Sequence, residues 1–202
     1  MLPHWLEPLV IIQTLGLMGV WGIIFAESGL FFGFFLPGDS LLFTAGFLAS
    51  QHLLNIWFLA LGCVVAAIAG DSVGYWFGRK VGPKIFSRED SFWFNKKHLD
   101  RTKSFYDRYG KKTIILARFV PIVRTFAPIL AGVGEMGYGT FLAYNVIGGT
   151  AWTLGFTFGG FWLGRLIPNA EKYLSLIVGT IIIVSLIPAV IEVLRRRKYN
   201  RG

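Results

Sequence analysis

The chain has 202 residues, 54% of them hydrophobic and only 15% charged, with a mean hydropathy of +0.58. So much apolar sequence, gathered in long runs, excludes an ordinary soluble domain and points to a polytopic membrane protein. The net charge of +9 is clustered: no Lys or Arg precedes Arg79, thirteen of twenty fall between Arg79 and Arg124, and five more lie between Arg195 and Arg201, a positive-inside pattern and not a nucleic-acid footprint.

The first apolar stretch lacks a basic start and a small-residue cleavage site, so it is expected to stay with the protein and not to act as a cleaved signal. The segment 15–50 is too long for one crossing, and it contains Glu27, then Leu36-Pro37-Gly38-Asp39, then several glycines. The first simple span is expected at about 53–78, and it leads into a basic linker, 80–112, read as cytoplasmic. In that linker Phe92, Leu99, Phe105 and Tyr106 are interleaved with basic residues, the pattern either of an amphipathic helix on the membrane surface or of an ordinary solvated one. The segment 113–136 packs Arg118, Pro121, Arg124 and Pro128 into eleven residues. Two further spans, about 139–164 and 173–193, bracket a short loop at Pro168-Asn169, and the basic tail returns the C-terminus to the cytoplasm.

Neither 15–50 nor 113–136 reads as a plain span. Prolines and charges inside a lipid-exposed helix would leave backbone groups unpaired, so such sequence belongs where protein or a wet cavity surrounds it. Both are read as re-entrant hairpins, with Pro37, Gly38, Pro121 and Pro128 breaking their limbs. If residues 10–35 formed a full span instead, the N-terminus would move to the cytoplasm.

An internal repeat organises these pieces. Gly74-Tyr75-Trp76-Phe77-Gly78-Arg79 matches Gly160-Phe161-Trp162-Leu163-Gly164-Arg165 at an offset of 86 residues, 160 − 74, and Ala45-Gly46 matches Ala131-Gly132 at the same offset. The expected fold is therefore all-α, with two units of hairpin plus transmembrane helix, 15–79 and 111–165, and an additional C-terminal transmembrane helix. One crossing per unit makes the second copy inverted relative to the first, as in many secondary transporters.

Nearer the hairpin starts, Ile23-Ile24-Phe25-Ala26-Glu27 matches Ile114-Ile115-Leu116-Ala117-Arg118 at an offset of 91, which sets Glu27 opposite Arg118. At 86, Arg124 falls within one position of Asp39; acids on the first hairpin thus face bases on the second. A lone charge at a span centre costs roughly 2.5–3.5 kcal/mol on insertion scales, so four of them must pair or line an aqueous pocket. Arg118 and Arg124 are the candidate phosphate ligands, since a guanidinium fork keeps its charge in an apolar site. Glu27 and Asp39 are the candidates for proton coupling, because a carboxyl's proton affinity answers both to burial and to a neighbouring guanidinium. The competing reading is two structural ion pairs, although buried pairs seldom add stability over apolar packing. Asp71 and Arg79 are supporting candidates near the inner end of the first span; Asp71 either accepts hydrogen bonds from the hairpins or pairs with a linker base. The tryptophans, Trp152 among them, read as interface anchors or packing, and Cys63 as a small packing residue. His4, His52 and His98 show no metal-ligand spacing and none lies near the arginines, so no metal, no cofactor and no phosphatase chemistry is expected.

The run Lys112-Thr113-Ile114-Ile115-Leu116-Ala117-Arg118-Phe119-Val120-Pro121-Ile122-Val123-Arg124-Thr125-Phe126-Ala127-Pro128 resembles the signature of bacterial DedA proteins. Glu27-Ser28-Gly29 with Phe35-Leu36-Pro37-Gly38-Asp39-Ser40, and Gly70-Asp71-Ser72-Val73-Gly74-Tyr75 with Gly78-Arg79, resemble the rest of that pattern. The resemblance covers nearly the whole chain and implies a single domain of the wider DedA/VTT superfamily in a bacterial inner membrane. It implies a lipid transporter, a proton-linked flippase for undecaprenyl phosphate or a related phospholipid, in which the residues matching Glu27, Asp39, Arg118 and Arg124 are required. The alternative is a proton-coupled cation antiporter using the same carboxylates. The partners expected are a membrane lipid phosphate and protons, without nucleic acid; self-association into a homo-oligomer is left open.

Overall fold

The computed structural model describes residues 8–30, 36–85, 114, 115, 118 and 121–166, and among them every regular element is a helix. Five helices follow in order: α1 (Pro8–Gly29), α2 (Gly38–Ser50), α3 (Ile56–Ile85), α4 (Pro121–Val133) and α5 (Tyr138–Leu166). The expected third span at 173–193, the linker beyond Ile85 and the basic tail lie outside the described residues.

Each boundary has a local cause. Pro8 and Pro121 open α1 and α4, where a missing N–H costs nothing. Gly16 breaks α1 with φ 58° and ψ −149°, a conformation that only glycine adopts without strain. The apolar helix that follows, Thr14–Gly29, is shorter than the ~20 residues a full crossing needs. Asn55 starts α3: its side-chain oxygen accepts from the backbone N–H groups of Trp57 and Phe58 at 3.0 and 3.2 Å.

α2 and α4 end alike. His52 and Glu135 take left-handed backbone at φ 63° and 57°. In α2, Leu53 N–H reaches the Leu48 carbonyl at 3.2 Å and His52 N–H the Ala49 carbonyl at 3.1 Å; in α4, Met136 reaches Ala131 and Glu135 reaches Gly132, both at 3.0 Å. Both are Schellman closures, with a non-glycine residue where glycine is usual.

The long helices answer the sequence expectation closely. α3 contains Ile56–Val81, which is long and apolar enough to cross a membrane at a mean hydropathy of 2.0. It continues through Arg79 and Lys80 to Ile85, so the segment expected to begin the polar linker at 80 starts as helix. α5, with 29 residues, covers the expected 139–164 span. One expectation fails: Pro128 does not break a limb but sits inside α4. Proline there removes the N–H that would reach the carbonyl four residues back, and α4 tolerates that single loss.

The described chain divides into two compact units. The first contains Met1–Ile23, Leu36–Cys63 and Thr153–Gly202, and the second Ile24–Phe35 and Val64–Trp152. In the first unit α2 packs on the C-terminal part of α5 with backbone against backbone: a Cβ on Gly46 would overlap the Thr157 carbonyl, and one on Gly160 the Phe43 carbonyl. Eleven of the thirteen residues of α2 are buried, so protein encloses this short helix on nearly every face. Cys63 is buried and free, as a packing residue would be.

In the second unit α4 packs on α3 by the same device, with Gly132 against the Tyr75 carbonyl and Gly78 against that of Ile129. Its apolar centre is Tyr75, Ile114, Ala131 and Phe141, with Tyr75 stacked on Phe141 at 4.7 Å. Gly46 and Gly132 are 86 residues apart, yet α2 and α4 end 83 apart, at Ser50 and Val133. The two short helices are thus related by 83 residues at both ends, three fewer than the offset of the Ala-Gly pair.

Close backbone approach between helices needs residues without a side chain at the contact. Gly132→Leu is expected to destabilise the protein by about 1–3 kcal/mol, the range for overpacking, whereas Gly155→Ala, with open space at its Cβ, is expected to be neutral or slightly stabilising. Thermal unfolding in detergent checks both; an unchanged midpoint for Gly132→Leu would show that the α3–α4 contact yields.

Candidate functional site

Four charged side chains meet inside the second unit. The end of α1 approaches α3 at two glycines, where a Cβ on Gly29 would meet the Gly70 carbonyl oxygen at 2.8 Å. That crossing brings Glu27, two residues before Gly29, and Asp71, one residue after Gly70, into one region. Arg118 arrives from the segment before α4, and Arg124 from the first turns of α4 itself.

The pairing is specific. Arg118 Nη2 forms an ion pair with Asp71 Oδ2, and both side chains are 5% exposed. Arg124 Nη2 forms an ion pair with Glu27 Oε1, at exposures of 11% and 2%. Arg118 Nη2 also donates to Asn145 Oδ1 on α5, and Asn145 Nδ2 donates to the Ile68 carbonyl at 3.2 Å. The amide is thus anchored to α3 on one side and presents its oxygen to the guanidinium on the other.

Trp152 lies beside both arginines. The Arg124 guanidinium carbon is 4.7 Å from its ring centroid and that of Arg118 is 5.9 Å away, within the range of cation–π attraction. Space for Arg118 is kept by α5: a Cβ on Gly149 would sit 3.3 Å from the guanidinium carbon. The arrangement holds two acids and two bases, and so carries no formal net charge. It is a site whose cations are already spoken for.

Several sequence expectations can be placed on this geometry. Glu27, Arg118 and Arg124 are brought together. Asp71 is bound to Arg118 of the second interrupted segment. Glu27 and Arg118, equivalent in the repeat, form their ion pairs with other residues: Glu27 with Arg124 and Arg118 with Asp71. Asp39 belongs to the other unit, in the first turn of α2, where a carboxylate complements the helix dipole. Pro37 precedes that helix as its cap residue and Gly38 is its first residue. Arg79 is exposed at the far end of α3, with Nη1 donating to the Tyr75 hydroxyl at 2.7 Å.

Two members of the site escaped the sequence reading. Asn145 is fully buried in an otherwise apolar run, and its isolation there was the available signal. Trp152, read as an anchor or packing residue, is 2% exposed and lies against the guanidinium groups, while Trp57 and Trp162 are exposed at 71% and 59%, as interface anchors are.

Comparison with known proteins finds relatives over most of the chain. The VTT domain family matches residues 36–162. The chain is 51% identical over 178 residues to Protein DedA of Escherichia coli (strain K12), covering 87% of this chain and 81% of that protein. It is 42% identical over 201 residues to an uncharacterised membrane protein of Mycobacterium tuberculosis (strain ATCC 25618 / H37Rv), covering 98% and 88%. An uncharacterised membrane protein of Mycobacterium leprae (strain TN) is 43% identical over 169 residues, covering 84% and 75%. No solved structure matches.

Removing one partner of a buried pair leaves an uncompensated charge, at a cost of about 3–5 kcal/mol, whereas replacing both by apolar residues is often neutral. Arg118→Met alone should therefore lower stability strongly, and Asp71→Leu together with Arg118→Met should recover most of it. Additive losses in a double-mutant cycle of thermal stabilities would contradict the pairing.

Proposed function

The chain belongs to the VTT-domain (DedA) family of membrane proteins, and from that premise we propose that it is a proton-linked transporter of a lipid phosphate, undecaprenyl phosphate or a related phospholipid, across the bacterial cytoplasmic membrane. The observation that carries this reading is the pair of arginines, Arg118 buried and Arg124 largely so, each held by a carboxylate and both set against Trp152. Two guanidinium forks are well matched to the oxygens of a phosphate. Their commitment to Glu27 and Asp71 gives the coupling. While the carboxylates are charged, an entering phosphate meets an already neutral site and competes with them. Protonation of Glu27 or Asp71 weakens the matching ion pair and leaves a guanidinium for the headgroup.

Asp71 thus joins Glu27 as the acid in direct contact with an arginine, and Asp39 remains a proton-coupling candidate on α2. Asn145 and Trp152 keep the arginines in place when the acids let go, so the site need not collapse. The lipid tail stays in the bilayer while the headgroup passes, which spares the cost of carrying it through water. The short apolar helices Thr14–Gly29 and Val123–Val133 support the reading of re-entrant limbs. The basic linker and tail would face the cytoplasm. The chemistry is binding and release, without a covalent step.

In proteoliposomes, labelled undecaprenyl phosphate is expected to move faster with an imposed pH gradient than without one. Arg124→Ala should abolish the movement, and Asp71→Asn should leave transport that no longer responds to the gradient. Equal transport by wild type and Arg124→Ala would sink the lipid reading. Cation-dependent proton flux without any lipid phosphate, reduced in Glu27→Gln, would favour antiport in its place.

A further inference from the structure

A second cationic feature of the same unit lies outside the paired site and plays no part in the transport reading. Arg79 stands where the apolar stretch Ile56–Val81 of α3 ends, with Lys80 exposed beside it. The Arg79 side chain is exposed yet already held. Nη1 donates to the Tyr75 hydroxyl at 2.7 Å, and the guanidinium carbon is 5.9 Å from the Trp76 ring centroid. Tyr75 is itself immobile: it is fully buried, its hydroxyl donates to the Met136 carbonyl, and Phe141 and Tyr138 pack on its ring at 4.7 and 5.4 Å. A guanidinium has five N–H donors, and among the described residues only the contact to Tyr75 engages one. The rest are preorganised and open, so a ligand would meet a fork whose rotamer freedom is already spent.

The surroundings select the ligand. Val73, Trp76 and Phe77 are exposed at 46%, 45% and 51%, within the two helical turns before Arg79 and Lys80. A tryptophan beside basic residues at the end of an apolar helix is the composition of a membrane–water boundary. A soluble phosphate could use the two cations but would leave the apolar collar bare. A phospholipid uses both, with its phosphate on the cations and an acyl chain along the collar.

We infer that the Arg79 end of α3 is a fixed binding site for one anionic glycerophospholipid. Its phosphate is held by Arg79 and Lys80, and its chain lies along Val73, Trp76 and Phe77. Through Tyr75 and the Met136 carbonyl the bound lipid braces the turn between α4 and α5, the turn that follows the helix bearing Arg124.

Native mass spectrometry of the full chain, in a neutral detergent with equal phosphatidylglycerol and phosphatidylcholine, tests this by counting retained lipids. Wild type is expected to retain one more phosphatidylglycerol per chain than Arg79→Gln, and the same difference of one is expected between Arg124→Ala and the double variant Arg79→Gln with Arg124→Ala. Arg79→Lys, which keeps the charge but loses the anchored fork, should show at least a threefold lower occupancy. Equal retention by wild type and Arg79→Gln, or equal retention of the two lipids, would overturn the site. Wild-type occupancy in Arg79→Lys would overturn the preorganised fork, and displacement of the lipid by millimolar glycerol 3-phosphate would assign the cations to a soluble anion.

Discussion

The second unit is organised around how buried charge is neutralised. Two guanidinium groups and two carboxylates are withdrawn from water in one unit, and each base is matched to one acid, Arg118 to Asp71 and Arg124 to Glu27. Desolvating such ions costs several kcal/mol apiece, and their attraction repays this only with good geometry and further hydrogen bonds. Asn145 and Trp152 supply the further contacts. A protein needing only stability would do better with apolar side chains, so the retained charges point to work done by separating them. In the proposed function the separation is triggered by a proton, which neutralises an acid and leaves its arginine to another anion.

The scaffold makes that neutralisation geometrically feasible. Helices that approach through glycine bring side chains from distant parts of the chain into one small volume. Gly29 against Gly70 sets α1 beside α3 where Glu27 and Asp71 emerge, and Gly149 leaves room for Arg118 under α5. Gly132 and Gly78 fasten α4, and with it Arg124, to the same helix. α3 therefore serves as the common reference for both ion pairs. Its far end, where Arg79 rests on Tyr75, is fixed to the turn after α4.

Much of this was legible in the sequence, and for physical reasons. Charge is so costly in apolar surroundings that Glu27, Asp39, Asp71, Arg118 and Arg124 stand out without any structure. The span over α3 follows from length and hydropathy alone, and a long helix forms where the span at 139–164 was expected. The partners were not legible, because a repeat reports equivalent positions and not contacts. Glu27 and Arg118 are equivalent in the alignment, yet each takes its opposite charge elsewhere. Trp152 and Asn145 were hidden by their setting, since an aromatic ring or a lone amide in a long apolar helix looks like packing. Pro128 misled in the other direction: proline ordinarily ends a helix, but α4 runs through it.

The central claim is that a phosphate obtains the arginines only as the carboxylates gain protons. Calorimetry of a short-chain polyprenyl phosphate binding to the purified protein, in buffers of different ionisation enthalpy, measures that exchange directly. The account predicts net proton uptake on binding, an affinity that falls as pH rises, and a smaller uptake in Asp71→Asn than in wild type. Binding with no proton uptake, or the same uptake in both proteins, would contradict it.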